Sequence, residues 1–189
     1  GYYDIFMVDA KDGRIVYSVY KELDFGTSLI NGPYRKTNLA KAFRLARDSR
    51  QNDFVVLEDY EPYLPSFFAP ASFIASPIFD RKTLIGVLIF QMPIDVIDEI
   101  MTDHQNWESV GLGQSGETYL VGDDYLLRNQ SRFLIEDKEE YLEMMSTLGF
   151  PQDTIELISN LNTSIGLQEV KTTGTRAALK GDTGSQIFS

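Results

Sequence analysis

Ala71-Ser-Phe-Ile-Ala-Ser-Pro-Ile-Phe79 and Leu84-Ile-Gly-Val-Leu-Ile-Phe-Gln-Met92 are two β-prone runs joined through the short turn Asp80-Arg81-Lys82. Runs of this length and composition, separated by a polar turn, predict adjacent antiparallel strands. Upstream, the run Phe54 to Tyr60 predicts a third strand, and Pro62, Pro65 and Pro70 punctuate the loop after it. Proline donates no hydrogen to a sheet ladder, so these residues mark loop and strand margins. Further upstream, Asn38 to Arg50 places Leu39, Ala42, Phe43 and Ala46 on one helical face and Lys41, Arg44 and Asp48 on the other,. The chain opens with Asp4 to Asp9, the turn Lys11-Asp12-Gly13-Arg14, and Ile15 to Tyr20. Asp-Gly between two β-prone runs predicts a hairpin, because glycine accepts the positive φ such turns need. Strand, strand, helix and three strands predict an α+β fold, an antiparallel sheet covered by helices on one face.

A short amphipathic helix, Asp95 to Thr102, leads out of this unit, and a second unit follows Trp107. Glu117 to Val121, the turn Gly122-Asp123-Asp124, and Tyr125 to Arg128 repeat the opening strand–turn–strand pattern. Lys138 to Leu148 and Asp153 to Leu161 predict helices, and one further strand is expected after Thr172,. The expected organisation is two tandem modules, 1–103 and 104–189, the second stopping before its sheet is complete.

The 189 residues carry a net charge of −11, from 17 basic and 28 acidic side chains, which argues against nucleic acid and anionic membrane surfaces as partners,. At 43% hydrophobic the chain can bury a core,. With no cysteine, disulfides and thiolate sites are excluded,. The most apolar run, Leu84 to Met92, is strand-sized, far short of a membrane span, and nothing reads as a signal peptide,.

His104 is the only histidine, so neither a histidine metal site nor a Ser-His-Asp triad is expected,. Gly111-Leu-Gly113-Gln-Ser-Gly116 matches the dinucleotide fingerprint in letters, but a linker precedes it and a strand follows. The fingerprint needs a strand before it and a helix after it, so it reads as a junction. Arg35, Lys36, Lys41, Arg44, Arg47 and Arg50 form the one local basic excess, a solvated helix face or a contact for an acidic partner or sister subunit. No cofactor, metal site or catalytic residue is expected.

The segment Asp59 to Ile74 places Tyr60, Tyr63, Phe67, Phe68 and Phe73 beside Ser66 and Ser72. Apolar walls with a few placed hydroxyls are what a small-molecule pocket requires. The same residues read equally as core aromatics under a proline-rich loop.

Asp4-Ile-Phe-Met-Val-Asp9 with Gly13-Arg-Ile-Val-Tyr17 resembles the opening of a Cache domain, the PAS-like extracytoplasmic sensor module. Ala71 to Phe79 with Leu84 to Pro93 is similar to its final two strands. Gly111-Leu-Gly-Gln-Ser-Gly-Glu-Thr-Tyr-Leu-Val-Gly122 resembles the opening of the second module in double Cache receptors, and Thr173 to Gly184 the approach to that module's later strands.

The resemblance implies a periplasmic sensing region, anchored by membrane helices outside this fragment and homodimeric in the full receptor. The output would be a histidine kinase, chemoreceptor or nucleotide cyclase, and the sensing region itself would not be an enzyme. By position it points to Tyr60, Tyr63, Ser66, Phe68, Ser72, Phe73 and Gln91 as small-molecule contacts. The Arg-x-Trp-Tyr pattern of the amino-acid-binding subgroup is absent, so the ligand class stays open. The alternative is a module that reads a periplasmic protein partner or acts as a dimerisation spacer.

Overall fold

The computed structural model describes residues 1–185, which divide into one compact unit, Gly1–Ile94, and a second that begins at Asp95. In the first unit the expected alternation of strands and helix forms as β1 (Ile5–Asp9), β2 (Ile15–Ser18), α1 (Asn38–Asp48), β3 (Val56–Pro62), β4 (Pro70–Asp80) and β5 (Thr83–Gln91). The strands make one antiparallel sheet in the order β2-β1-β5-β4-β3. This is the PAS-like α+β arrangement.

Local chemistry sets both tight hairpins. Gly13 takes φ +69° between β1 and β2, and a Cβ there would lie 2.7 Å from the Ile30 side chain. Asp80 pairs with Thr83, leaving Arg81-Lys82 as a two-residue turn in which Arg81 accepts φ 56°,. Strand alternation then turns Phe6, Val8, Phe73, Ala75, Val87 and Ile89 to one face, where they pack with Leu39, Ala42, Phe43 and Ala46 of α1,. Burying one side chain such as Phe43 stabilises the fold by about 1.5–3 kcal/mol. Met7, Tyr17 and Leu57 point to the other face and are exposed.

Two contacts fix α1 on the sheet. Thr37 caps its N-terminus by accepting from the Ala40 amide at 3.3 Å,. Asn38, 2% exposed, donates to the carbonyls of Asp59 (2.8 Å) and Ala71 (2.6 Å). Those carbonyls lie where the β3–β4 register shifts between Glu58 and Glu61, so Asn38 supplies the donors the bulge leaves out,.

The second unit contains α2 (Ile94–Met101), which straddles the unit boundary, α3 (Arg132–Glu136), α4 (Lys138–Thr147), α5 (Gln152–Leu161) and α6 (Thr173–Ala178). Leu134, Tyr141, Met145, Ile155 and Ile158 form its core. The expected strands 117–121 and 125–128 meet only in isolated bridges, Val121↔Leu127 and Leu126↔Glu169. A two-stranded ribbon is marginal by itself, and among the described residues the segment at Glu169 adds a single bridge rather than a third strand, so no ladder extends from them,.

The strand expected after Thr172 is a correction: the segment is α6. Thr172 and Thr175 form a reciprocal capping box, and Ala177 and Ala178 favour the helix that follows,. Side-chain hydrogen bonds to the backbone override the β preference of the threonines.

Candidate ligand site

The loop between β3 and β4 folds back on itself. The Phe68 amide donates to the Tyr63 carbonyl at 3.0 Å, and the Tyr63 amide to the Ala69 carbonyl at 3.1 Å. Leu64–Ser66 form a single 3₁₀ turn with Pro65 in it, and Phe67 and Phe68 follow with φ of 55° and 64°. Two consecutive bulky residues in the left-handed region cost about 1–2 kcal/mol each, and strain of this kind concentrates at ligand clamps. The geometry turns Tyr63 and Ser66 inward and leaves Phe67 86% and Phe68 53% exposed.

Beneath this loop lies a polar cluster. The Tyr63 hydroxyl donates to Asp24 Oδ2 at 2.5 Å, with both side chains fully buried. Phe73 packs edge-on against Tyr63 at 5.2 Å between ring centroids. Ser66 donates to Glu22 Oε2 at 3.2 Å and accepts from Gln91 Nε2 at 3.4 Å. Tyr3 donates to Glu22 Oε1 at 3.2 Å. Asp4, also buried, accepts from the Ile5 and Val19 amides and the Ser18 hydroxyl. By contrast, Asp24 Oδ1 and Gln91 Oε1 are buried without a hydrogen-bond partner. Each such acceptor costs the fold roughly 1–3 kcal/mol of desolvation.

The electrostatics follow from this crowding. Burial raises the Asp24 carboxyl above its usual range; the Tyr63 hydrogen bond works against the rise and the charge of Asp4 adds to it. Burial likewise raises Glu22, opposed by the hydrogen bonds from Ser66 and Tyr3. Burial and the neighbouring Asp24 charge drive the Tyr63 hydroxyl strongly upward, so it stays a donor,.

Of the residues singled out in the sequence, Tyr63, Ser66, Phe73 and Gln91 are brought together here. Ser72 alternates to the opposite side of β4 and donates to the Glu58 carbonyl at 2.7 Å. Phe68 faces solvent, and Tyr60 is half-buried on β3. Asp4, Glu22 and Asp24 were not anticipated. Asp4 opens the first β-prone run, while Glu22 and Asp24 follow the second with no motif, and only the tertiary fold sets these last two against Ser66 and Tyr63.

The glycine-rich segment of the second unit has a structural role. Arg132, 3% exposed, donates through Nη1 to the carbonyls of Gly113 (3.0 Å) and Gly116 (2.7 Å). Its guanidinium also pairs with Glu136 at 2.9 Å and lies 4.8 Å from the Trp107 ring centre. A phosphate loop presents amide hydrogens to its anion, whereas here loop carbonyls converge on a cation. His104 is exposed and borders a cleft of about 420 Å³ with Asp95, Asp98 and Glu99. Burial pushes the Asp98 carboxyl up to about 6, against the hydrogen bond it accepts from the Gln130 amide. Among the described residues no cluster of three or more His, Asp or Glu side chains could hold a metal ion, and no helix is long and apolar enough to cross a membrane.

No protein-family model matches the chain, and no curated protein matches it. Similar solved structures include the ligand-binding domain of the Pseudomonas aeruginosa PAO1 amino acid chemoreceptor PctC in complex with GABA. It shares 13% identity at a TM-score of 0.45, over 67% of this chain and 48% of that one. The ligand-binding domain of the Pseudomonas fluorescens chemoreceptor CtaA in complex with L-serine shares 14% at 0.44, over 68% and 48%. The sensor domain of the V. cholerae histidine kinase DctB shares 18% at 0.43, over 68% and 41%. The chain thus spans less than half the length of each of these three domains.

Proposed function

We propose that this chain is the small-molecule-sensing region of a bacterial transmembrane receptor, exposed on the periplasmic side, with its ligand site in the first unit. The observation that carries the proposal is the buried polar cluster of Tyr63, Ser66, Gln91, Glu22 and Asp24 beneath the strained loop that bears Phe67 and Phe68. The Cache resemblance of β1–β2, β4–β5 and Gly111 to Gly122 supports it, as does the PAS-like strand order. Phe73 walls the cluster, while Tyr60, Phe68 and Ser72 belong to the surrounding loop and strands. The region senses and does not catalyse. Signalling proceeds by a population shift, in which a ligand favours one conformation of the module by its differential affinity. A homodimer carries the signal to a kinase, chemoreceptor or cyclase output, and membrane anchoring comes from helices outside residues 1–189.

A thermal-shift screen against amines, carboxylates, amino acids, purines and sugars tests this reading. A ligand at a hundredfold its dissociation constant raises Tm by about 5–10 °C for a chain of this size. The response should be lost in Gln91→Met. Silence across the panel would overturn the sensing assignment. The exposure of Phe67 and Phe68 favours a second reading, a protein partner seated on those rings,. That reading predicts silence in the screen and loss of partner binding in Phe67→Ser.

A further inference from the structure

The far end of the first unit gathers charge of the opposite sign. Because β1 and β5 run antiparallel with Asp9 opposite Gly86, the β1–β2 turn and the β4–β5 turn stand side by side at one end of the sheet. The Ala10 amide donates to the Ile85 carbonyl at 3.2 Å and continues that pairing. The last turn of α1 borders the same end, so Lys11 and Lys82 from the two turns and Arg47 and Arg50 from the end of the helix line one cleft of about 630 Å³. Phe79 and Leu84, both half-buried, form part of its wall. Tyr63, Ser66 and Gln91 meet at the other end of β5, which runs from Thr83 to Gln91, roughly 25 Å away at about 3.3 Å per residue,.

The cleft holds more cation than its own residues neutralise. Asp48 is the one carboxylate in its lining. It is spent on Arg47, which reaches its two oxygens at 2.7 and 3.1 Å. Those hydrogen bonds hold the Asp48 carboxyl below its usual range, and the charges of Arg47, Arg44 and Arg50 add to the effect. Asp9, which feels the Lys11 charge, turns one oxygen to the Lys11 and Asp12 amides. Among the described residues no carboxylate forms an ion pair with Lys11, Arg50 or Lys82. A helix C-terminus favours a cation at Arg47, but it gives no reason for lysines on two hairpin turns. Like charges gathered beside an apolar wall focus the field on an incoming anion, here in a chain whose net charge is −11,.

A carboxylate is planar and brings one charge. A phosphate brings about 1.5–2 charges and three acceptor oxygens that point in different directions. That suits the point charges of two lysines beside an arginine fork. We infer that this cleft is a second binding site, distinct from the candidate ligand site, for the oligophosphate group of an inorganic or organic anion, received by Lys11, Arg50 and Lys82. Phe79 and Leu84 offer a surface to the organic part where there is one.

Calorimetric titration of the 189-residue chain with pyrophosphate, tripolyphosphate and adenosine diphosphate tests this. Acetate, succinate and adenosine serve as counterparts and should give no binding heat. The oligophosphates should bind at one per chain, more tightly in about 50 mM than in about 300 mM NaCl. Adenosine diphosphate binding more tightly than pyrophosphate assigns the site to an organic anion, and the reverse order to an inorganic one. Arg50→Gln and Lys82→Gln, both at exposed positions, should each weaken binding about tenfold with the circular dichroism spectrum retained,. Lys36→Gln, beyond the other end of α1, should leave it unchanged. Lys36→Gln weakening binding as much as the cleft variants would reveal a diffuse surface attraction and overturn the inference. So would unchanged binding in both cleft variants, succinate binding as tightly as pyrophosphate, or no heat from any oligophosphate. None of these results bears on the sensing assignment, which rests on the other end of the sheet.

Discussion

Tyr63 and Asp24 stand 39 positions apart in the chain and meet through a single 2.5 Å hydrogen bond in the interior of the first unit. The bond ties the loop after β2 to the loop after β3, since neither residue lies in a strand. Tyr63→Phe keeps the packing against Phe73 and leaves Asp24 with both oxygens buried and unpaired. The expected cost is about 1–3 kcal/mol of stability, with the Asp24 carboxyl rising further. Urea unfolding of Tyr63→Phe, Asp24→Asn and the double variant checks this. The double variant should lose less than the sum of the single changes.

Asn38 predicts a second cost. Replacing it with Ala leaves the Asp59 and Ala71 carbonyls without their side-chain donor at the foot of α1. A loss of roughly 2–4 kcal/mol is expected for two buried acceptors. Hydrogen exchange should show faster opening of α1 and of the β3–β4 edge than of β1–β5.

Arg132→Lys tests the glycine-rich segment. A lysine cannot span Gly113, Gly116 and Glu136 at once in the plane the guanidinium uses,. The variant should destabilise the second unit by about 2–3 kcal/mol. Trp107, the only tryptophan, lies against Arg132 and should report the change as a shift in emission.

Asp98 gives a pH dependence with a definite sign. Its carboxyl is raised from 3.8 to about 6 in the folded chain. Between those values the folded state holds a proton the unfolded state has lost, so stability falls as pH rises from about 4 to about 6 and levels off above. The full difference is at most about 3 kcal/mol, and screening at a partly exposed site reduces it to roughly 1 kcal/mol. Unfolding followed by Trp107 fluorescence at pH 4.5 and 7 should show this slope. Asp98→Asn should flatten it.

The first unit was legible in sequence because its strands alternate and its turns carry Asp12-Gly13 and Asp80-Arg81-Lys82. Each local signal agrees with the sheet that forms,. The second unit was less so. Thr172 to Thr175 looks β-prone by composition and is helical because its hydroxyls cap the backbone. The run Glu117 to Val121 has strand composition without neighbours to pair with beyond isolated bridges. At the candidate site, Tyr63, Ser66 and Gln91 were visible as aromatic and polar residues at strand margins. Asp24 was not, because its significance lies in a partner 39 residues away, and no spacing rule reports such a contact.

Gln91 is the last residue of β5, a strand hydrogen-bonded on both flanks, and only Met92 and Pro93 separate it from the first turn of α2. Proline holds its own φ near −65° and narrows the choices of the residue before it. The side chain that donates to Ser66 therefore stands three positions before the start of α2, with a methionine and a proline as the whole of the chain between them.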